Sequence, residues 1–169
     1  MTKETGFAPS VWDRLMGAGE LTDSDRSFQT MTLEQLKASV ARDLEGLLNT
    51  RVAIPEGWLA RYPRCRKSVL NYGLCDFAGM CLTSSEDRKI ICEHLKLAIE
   101  CFEPRLGNVR AEVVTAGGTP NRLDFVISAT LKAQGISGRI EFNAMLQPST
   151  LHYSISPSLR RATLVKATA

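Results

Sequence analysis

Glu103-Pro104-Arg105 places a carboxylate and a guanidinium two residues apart, and this pair is the strongest candidate in the sequence for a functional site. A glycoside-cleaving site would need a second carboxylate facing Glu103 across a cleft, and Glu112 and Asp124 are the candidates. Arg105 argues against that role, because a nearby cation keeps a carboxylate ionised whereas a general acid must be protonated. The pair therefore indicates either a structural ion pair or a contact with a partner.

Other catalytic and metal-binding patterns are missing from the sequence. It has no phosphate-binding glycine loop, no serine-hydrolase elbow and no zinc-protease motif. Neither His94 nor His152 stands at ligand spacing from a cysteine pair, and no spacing defines a Cys–His pair. Since Met1 to Ser10 lacks the pattern of an export signal, we expect the five cysteines to be reduced thiols. They are Cys65, Cys75, Cys81, Cys92 and Cys101. We expect no catalytic residue, no metal and no cofactor.

Length and composition favour a single globular domain. A chain of 169 residues can bury a sizeable core, and a hydrophobic content of 44% with 23% charged residues is ordinary for a soluble protein. No apolar stretch approaches the roughly 20 residues that a membrane helix needs. The net charge of +3 is too small to indicate nucleic-acid binding by itself. We therefore expect neither a direct membrane contact nor a nucleic-acid partner.

Residues 61–67 form a basic run that leaves two interpretations open. Four cations and a tyrosine within seven residues could bind an acidic partner or nucleic acid. The same run is also typical of a solvated loop.

Two main helices are predicted, near residues 32–50 and 84–103. Thr32 and Gln35 have the spacing of a capping box, and leucines recur at helical spacing after them. The second helix is predicted to be buried on both flanks, with one narrow charged ridge in water. Pro104 biases the preceding residue away from the helical conformation, so Glu103 is expected to end this helix.

After this corner the apolar period changes from helical spacing to alternation, which predicts four strands between residues 108 and 156. Their short connections require antiparallel pairing. We predict an α+β domain of two layers, in which two main helices pack on a three- or four-stranded antiparallel meander. Its outer strands, 108–114 and 151–156, have unpaired main-chain groups that could accept a strand of another chain.

The domain is predicted to span residues 31–156, with a loose basic tail at 157–169. Residues 1–30 are expected to be a partner-docking segment around one short helix that carries Val11, Trp12 and Leu15. So short a helix cannot be stable alone, and it must pack on its own domain or on a partner. If it serves a partner, removing residues 1–20 should leave the thermal stability nearly unchanged.

Four segments give the sequence a resemblance to a known family. They are Pro9-Ser10-Val11-Trp12-Asp13-Arg14-Leu15, Ser39-Val40-Ala41-Arg42-Asp43-Leu44-Glu45-Gly46-Leu47-Leu48-Asn49-Thr50-Arg51, Ser68-Val69-Leu70-Asn71-Tyr72-Gly73-Leu74 and Glu103-Pro104-Arg105-Leu106. In this order they resemble TssE, the baseplate subunit of type VI secretion systems, which is similar to the phage T4-type baseplate wedge protein once labelled lysozyme-related. Cys75 departs from the family, which usually has a proline there.

The resemblance implies a structural protein without enzymatic activity. Members join TssF and TssG in a cytoplasmic baseplate wedge and seed the sheath of TssB and TssC by strand addition, with TssK as a further candidate partner. The Glu-Pro-Arg motif would be a contact element, so we expect Glu103, Pro104 and Arg105 to bind a partner.

Pro104 is expected to keep the two charged side chains of this motif apart, so that both project outward and Arg105→Ala barely affects the isolated protein. The alternative functions are a peptidoglycan-cleaving muramidase and a basic nucleic-acid-binding module.

Overall fold

The computed structural model describes residues 7–16, 31–77, 79–81, 84–114, 123–133, 136–158 and 164–166. The fold is α+β, as predicted, and an antiparallel sheet is its central element. The helices are α1 (Val11–Met16), α2 (Leu33–Asn49), α3 (Glu56–Leu59) and α4 (Ser85–Phe102), with 3-10 turns at Cys65–Lys67 and Val69–Asn71. The strands are β1 (Leu106–Val114), β2 (Leu123–Ala133), β3 (Ile136–Gln147), β4 (His152–Pro157) and β5 (Leu164–Lys166).

Both main helices begin at capping residues that the sequence identifies. The Thr32 N–H donates to Oε1 of Gln35 at 2.8 Å, and the Gln35 N–H donates to Oγ1 of Thr32 at 3.2 Å, which completes the predicted capping box of α2. Ser84 caps α4 through its hydroxyl, which accepts from the Asp87 N–H. Helix α4 ends at Phe102, and Glu103 is its C-cap residue, because Pro104 cannot continue the helix.

The sheet is a meander in which β1, β2, β3 and β4 pair antiparallel in chain order, and this confirms the predicted topology. Its longest pairing joins β2 and β3, from Leu123 opposite Leu146 to Ala133 opposite Ile136. The helices cover one face of the sheet, and the side chains between the two layers form one core. Its fully buried large side chains include Leu44, Ile91, Phe125, Phe142 and Tyr153.

Helix α4 buries one face, and the prediction that both its flanks are buried is wrong. Ile91, Leu95 and Ile99 are fully buried, whereas Ile90 is 43% and Leu97 53% exposed. In a two-layer domain a helix that covers a sheet has only one face against the core, so its outer face lies in solvent.

Part of the basic tail belongs to the sheet. Leu164–Lys166 form β5, which pairs antiparallel with Ile136–Gly138 at the start of β3. Strand β4 pairs only with Phe142–Gln147 of β3, so the start of this twelve-residue strand has main-chain groups that β5 can bind. The expectation of a loose tail therefore fails for these three residues.

Side chains of α2 bond the outer main chain of β4. The Asn49 amide donates from Nδ2 to the Tyr153 carbonyl at 2.8 Å, and its Oδ1 accepts from the Tyr153 N–H at 2.8 Å. The Ile155 N–H donates to Oε2 of Glu45 at 2.8 Å. Asn49 thus takes the place of a neighbouring strand by offering one donor and one acceptor.

Side chains of α4 bond the outer main chain of β1 less firmly. The Val109 N–H donates to Oε1 of Glu100 at 3.3 Å, and the Val113 N–H donates to the thiol of Cys92. A long bond and a sulfur acceptor are weaker than the short bonds on β4. The expectation that both outer strands have unpaired main-chain groups is corrected in part: side chains of α2 and α4 bond some of these groups on each edge, and β1 is the more open edge.

Candidate partner-binding site

A groove of about 670 Å³ lies between α1, α2 and the corner after α4. Trp12 lines it from α1, and Glu103, Pro104 and Arg105 line it from the corner. The structure thus brings together two of the elements that the sequence singled out. Val11 and Leu15 do not line the groove but are exposed on the same short helix.

The carboxylate of Glu103 is buried, with only 6% of the residue exposed, and Arg105 binds it. The guanidinium donates from Nε to Oε1 of Glu103 at 2.7 Å and from Nη2 to Oε2 at 2.6 Å. A buried carboxylate requires such a partner, and a two-point bond to a guanidinium is the strongest that a side chain offers. The expectation that Pro104 keeps the two side chains apart is therefore wrong: they form one closed pair.

Arg105 also connects the corner to α2. Its Nη2 donates to Oδ2 of Asp43 at 2.5 Å, so two carboxylates share one guanidinium. The hydrogen bonds to Glu103, and then those to Asp43, raise the pKa of Arg105 above its ordinary value although burial opposes the charge. The nearby phenol of Tyr72 stays neutral, because burial and then the charges of Asp43 and Glu103 raise its pKa.

Asp13 binds α1 to α2. Its Oδ2 accepts from the Ser39 hydroxyl at 2.7 Å, and its Oδ1 accepts from Arg42. Burial opposes the charge of Asp13, but hydrogen bonds from Arg42, Ser10 and Ser39 outweigh it and hold its pKa well below its usual range. A lowered pKa means that this contribution is complete above the usual aspartate range and is lost as the pH falls through the lower value.

These groups form a chain of alternating charge in the order Asp13, Arg42, Asp43, Arg105 and Glu103, and all of them except Asp13 line the groove. Arg42 bridges two elements, since its guanidinium bonds Asp13 and lies 3.5 Å from Oδ1 of Asp43. We call these five residues the charge chain. It connects α1, α2 and the corner after α4 through side chains alone.

Helix α1 turns its polar side inward and its apolar side outward. Asp13 faces α2, whereas Val11 is 73%, Trp12 55% and Leu15 65% exposed. Large apolar side chains grouped on an exposed face are typical of surfaces that bind a partner.

Phe7 anchors the chain just before α1. It is 4% exposed within the main core, and its main chain exchanges two hydrogen bonds with Met31, at 2.9 and 2.7 Å. Removing residues 1–20 would delete this core side chain. The expectation that such a deletion leaves stability unchanged is therefore withdrawn, and α1 must be tested by substitution.

Sequence reasoning missed the three inner members of the site, Asp13, Arg42 and Asp43. Arg42 and Asp43 stand next to each other on the polar side of α2, but nothing in the sequence indicates that they meet residues 29 and 62 positions away. It also missed a contact between Cys75 Sγ and His94 Nδ1 at 3.5 Å. Among the described residues, no cluster of histidine, cysteine and acidic side chains could hold a metal ion. Within the same residues, no helix is long and apolar enough to span a membrane.

Exposed apolar side chains beside ordered charged groups are typical of protein–protein interfaces. Comparison with protein families gives the class of protein: the family described as baseplate wedge protein gp25 matches residues 34–135, which is more than half of the chain. The chain belongs to this family and has a structural role in a baseplate. No curated protein and no solved structure matches the chain.

We expect Arg105→Ala to lower the free energy of unfolding by on the order of 3 kcal/mol, because it leaves the buried Glu103 carboxylate without its partner. Urea denaturation measures this loss. The double variant Glu103→Gln with Arg105→Gln should recover most of it, since no buried charge is left unpaired. Arg110→Ala, at an exposed cation on β1, is the control and should cost less than about 0.5 kcal/mol. Wild-type stability of Arg105→Ala would show that the pair contributes nothing.

Proposed function

We propose that this chain is a structural subunit of a type VI secretion baseplate wedge, which joins TssF and TssG in the cytoplasm and starts the sheath of TssB and TssC. The groove that Trp12 shares with the Glu103-Pro104-Arg105 corner is the observation that carries the proposal. In this view residues 1–30 carry the docking helix, the domain at 31–156 is completed by Phe7 in its core and by β5 in its sheet, and TssK is a further candidate partner.

The groove has the chemistry of a protein–protein contact. Tryptophan and arginine are the residues that most often dominate binding energy at interfaces. Here Trp12 and Arg105 line the same groove, and hydrogen bonds hold Arg105 before any partner arrives. A side chain that is already ordered loses little entropy on binding. We propose that the wedge partner inserts into the groove and contacts both.

Strand addition on β1 is the proposed route to the sheath. The outer N–H groups of Val109 and Val113 are bonded to Glu100 and Cys92, by contacts that an incoming strand can replace. A second groove, of about 820 Å³, runs between β1 and the charged ridge of α4 and offers room for such a strand. The bonds from Asn49 and Glu45 to β4 are shorter, which favours β1 over β4 as the acceptor.

Muramidase activity is disfavoured by the state of Glu103. Both oxygens of its carboxylate accept hydrogen bonds from the guanidinium of Arg105. A general acid must reach the substrate with a proton to donate, and both oxygens of this carboxylate are already engaged by donors of the protein itself.

The triple variant Val11→Ser, Trp12→Ser and Leu15→Ser should weaken co-purification with TssF and TssG while the isolated protein stays about as stable as wild type. All three side chains are exposed, so their loss should cost less than about 1 kcal/mol of unfolding free energy. A lost interface anchor typically weakens binding by about 2 kcal/mol or more. Trp58→Ser is the matched control, since Trp58 is 74% exposed and lies outside the groove. Full co-purification of the triple variant would exclude α1 from the interface.

Ala111→Pro should block sheath nucleation and leave the domain folded. Ala111 lies between Val109 and Val113 on β1, so the strand period turns its N–H to the same outer side, where proline is tolerated. Ile155→Pro is the comparison on β4. It should destabilise the protein, because the Ile155 N–H bonds Glu45, but the folded fraction should still nucleate. Sheath assembly is measured per folded molecule, and normal nucleation by Ala111→Pro would rule out strand addition on β1.

A further inference from the structure

A second exposed surface lies outside both grooves, on the two 3-10 turns that follow α3. Three cations, Arg64, Arg66 and Lys67, are exposed there beside two aliphatic side chains, Val69 and Leu70. Val69 is 83% and Leu70 52% exposed, which is unusual for two consecutive aliphatic residues in a folded domain. We call these five residues the basic-aliphatic patch.

Local hydrogen bonds give the basic-aliphatic patch a fixed shape. The Ser68 hydroxyl donates to the Cys65 carbonyl at 2.8 Å, and the Asn71 amide donates to the Arg66 carbonyl at 3.0 Å. The Cys101 thiol reaches the same carbonyl at 3.9 Å, which places the patch against the end of α4. Leu97 stands one helical turn before Cys101, so its exposed side chain extends the apolar surface on this side.

All the charged side chains in the segment around this patch are positive. Residues 57–71 contain four cations, which are Arg61, Arg64, Arg66 and Lys67, and they contain no aspartate or glutamate. Exposed cations attract a partner of the opposite sign.

We propose that the basic-aliphatic patch docks an acidic, amphipathic segment of a partner protein. Guanidinium groups bind carboxylates at two points, and Val69 and Leu70 would bury their exposed surface against an aliphatic or aromatic side chain of the same segment. The patch shares no residue with either groove, so this contact is independent of the proposed wedge and sheath contacts.

A single-stranded nucleic acid is the rival occupant, and the apolar part of the patch argues against it. Nucleic acids bind through phosphates and through bases that stack on aromatic rings. Tyr62 is 60% exposed beside the patch and offers a ring for a single base, whereas Val69 and Leu70 are aliphatic and offer no stacking surface. They suit a protein segment with an apolar face.

The test is fluorescence anisotropy on the full chain with a labelled helix-forming peptide of about 16 residues, which carries glutamates on one face and leucines on the other. Saturable binding to wild type is expected. The variant Arg64→Gln, Arg66→Gln and Lys67→Gln should bind about tenfold more weakly or worse. Val69→Ser with Leu70→Ser should weaken binding as well, which a purely electrostatic contact would not show. Denaturation curves confirm that each variant is folded.

A charge-matched control separates this site from general attraction. Lys89→Gln, Arg110→Gln and Arg139→Gln remove the same charge from exposed positions elsewhere and should change the affinity less than about twofold. The proposal is overturned if this control weakens binding as much as the patch variant does, or if wild type shows no saturable binding. It is also overturned if a single-stranded DNA of equal charge binds more tightly than the peptide and depends on the same three cations. None of these outcomes bears on the wedge role.

Discussion

The buried carboxylate of Glu103 is the constraint on which the charge chain depends. A charge in that position is tolerable only with a partner, and Pro104 places Arg105 where its guanidinium can supply one. The same guanidinium reaches Asp43, Asp43 lies beside Arg42, and Arg42 bonds Asp13. The partner that one buried carboxylate requires is thus part of a chain of ion pairs that connects three elements.

Helix α1 shows the structural consequence of its attachment through the charge chain. Six residues are too few for a helix to be stable alone, and a short amphipathic helix normally attaches itself through its apolar side. Here Asp13 makes the attachment through polar bonds, so Val11, Trp12 and Leu15 remain available on the outside. A short helix that is held by polar bonds keeps its apolar face exposed and does not bury it in its own core.

Much of this fold follows from local sequence patterns, whereas the site depends on contacts between distant segments. The Thr32 capping box, the stop at Pro104 and the alternation in the strands each act within a few residues, and all of them are correctly predicted. The pairing of Asp13 with Arg42 has no local signal, because it depends on how the chain returns to α2.

The ion pair between Arg105 and Glu103 cannot be predicted from the sequence for a different reason. Sequence shows the two charges but not that Glu103 is buried, and burial is what forces them together. For the same reason the sequence does not reveal which main-chain groups at the edges of the sheet are bonded. Alternation identifies β4 as an outer strand, but only the packing of α2 reveals that Asn49 occupies its main chain.

The most direct test of the charge chain is hydrogen exchange of the backbone amides of Arg14–Met16 in wild type and in the double variant Ser39→Ala with Arg42→Ala. This variant removes the two partners of Asp13 on α2 and leaves the bonds between Asp13 and Ser10 that cap α1. Alanine is the best helix former, so α2 itself is not weakened. The account predicts that these amides exchange at least about tenfold faster in the variant, while those of α2 keep their protection. Equal protection in both proteins would contradict it, because α1 would then be held by something other than the charge chain.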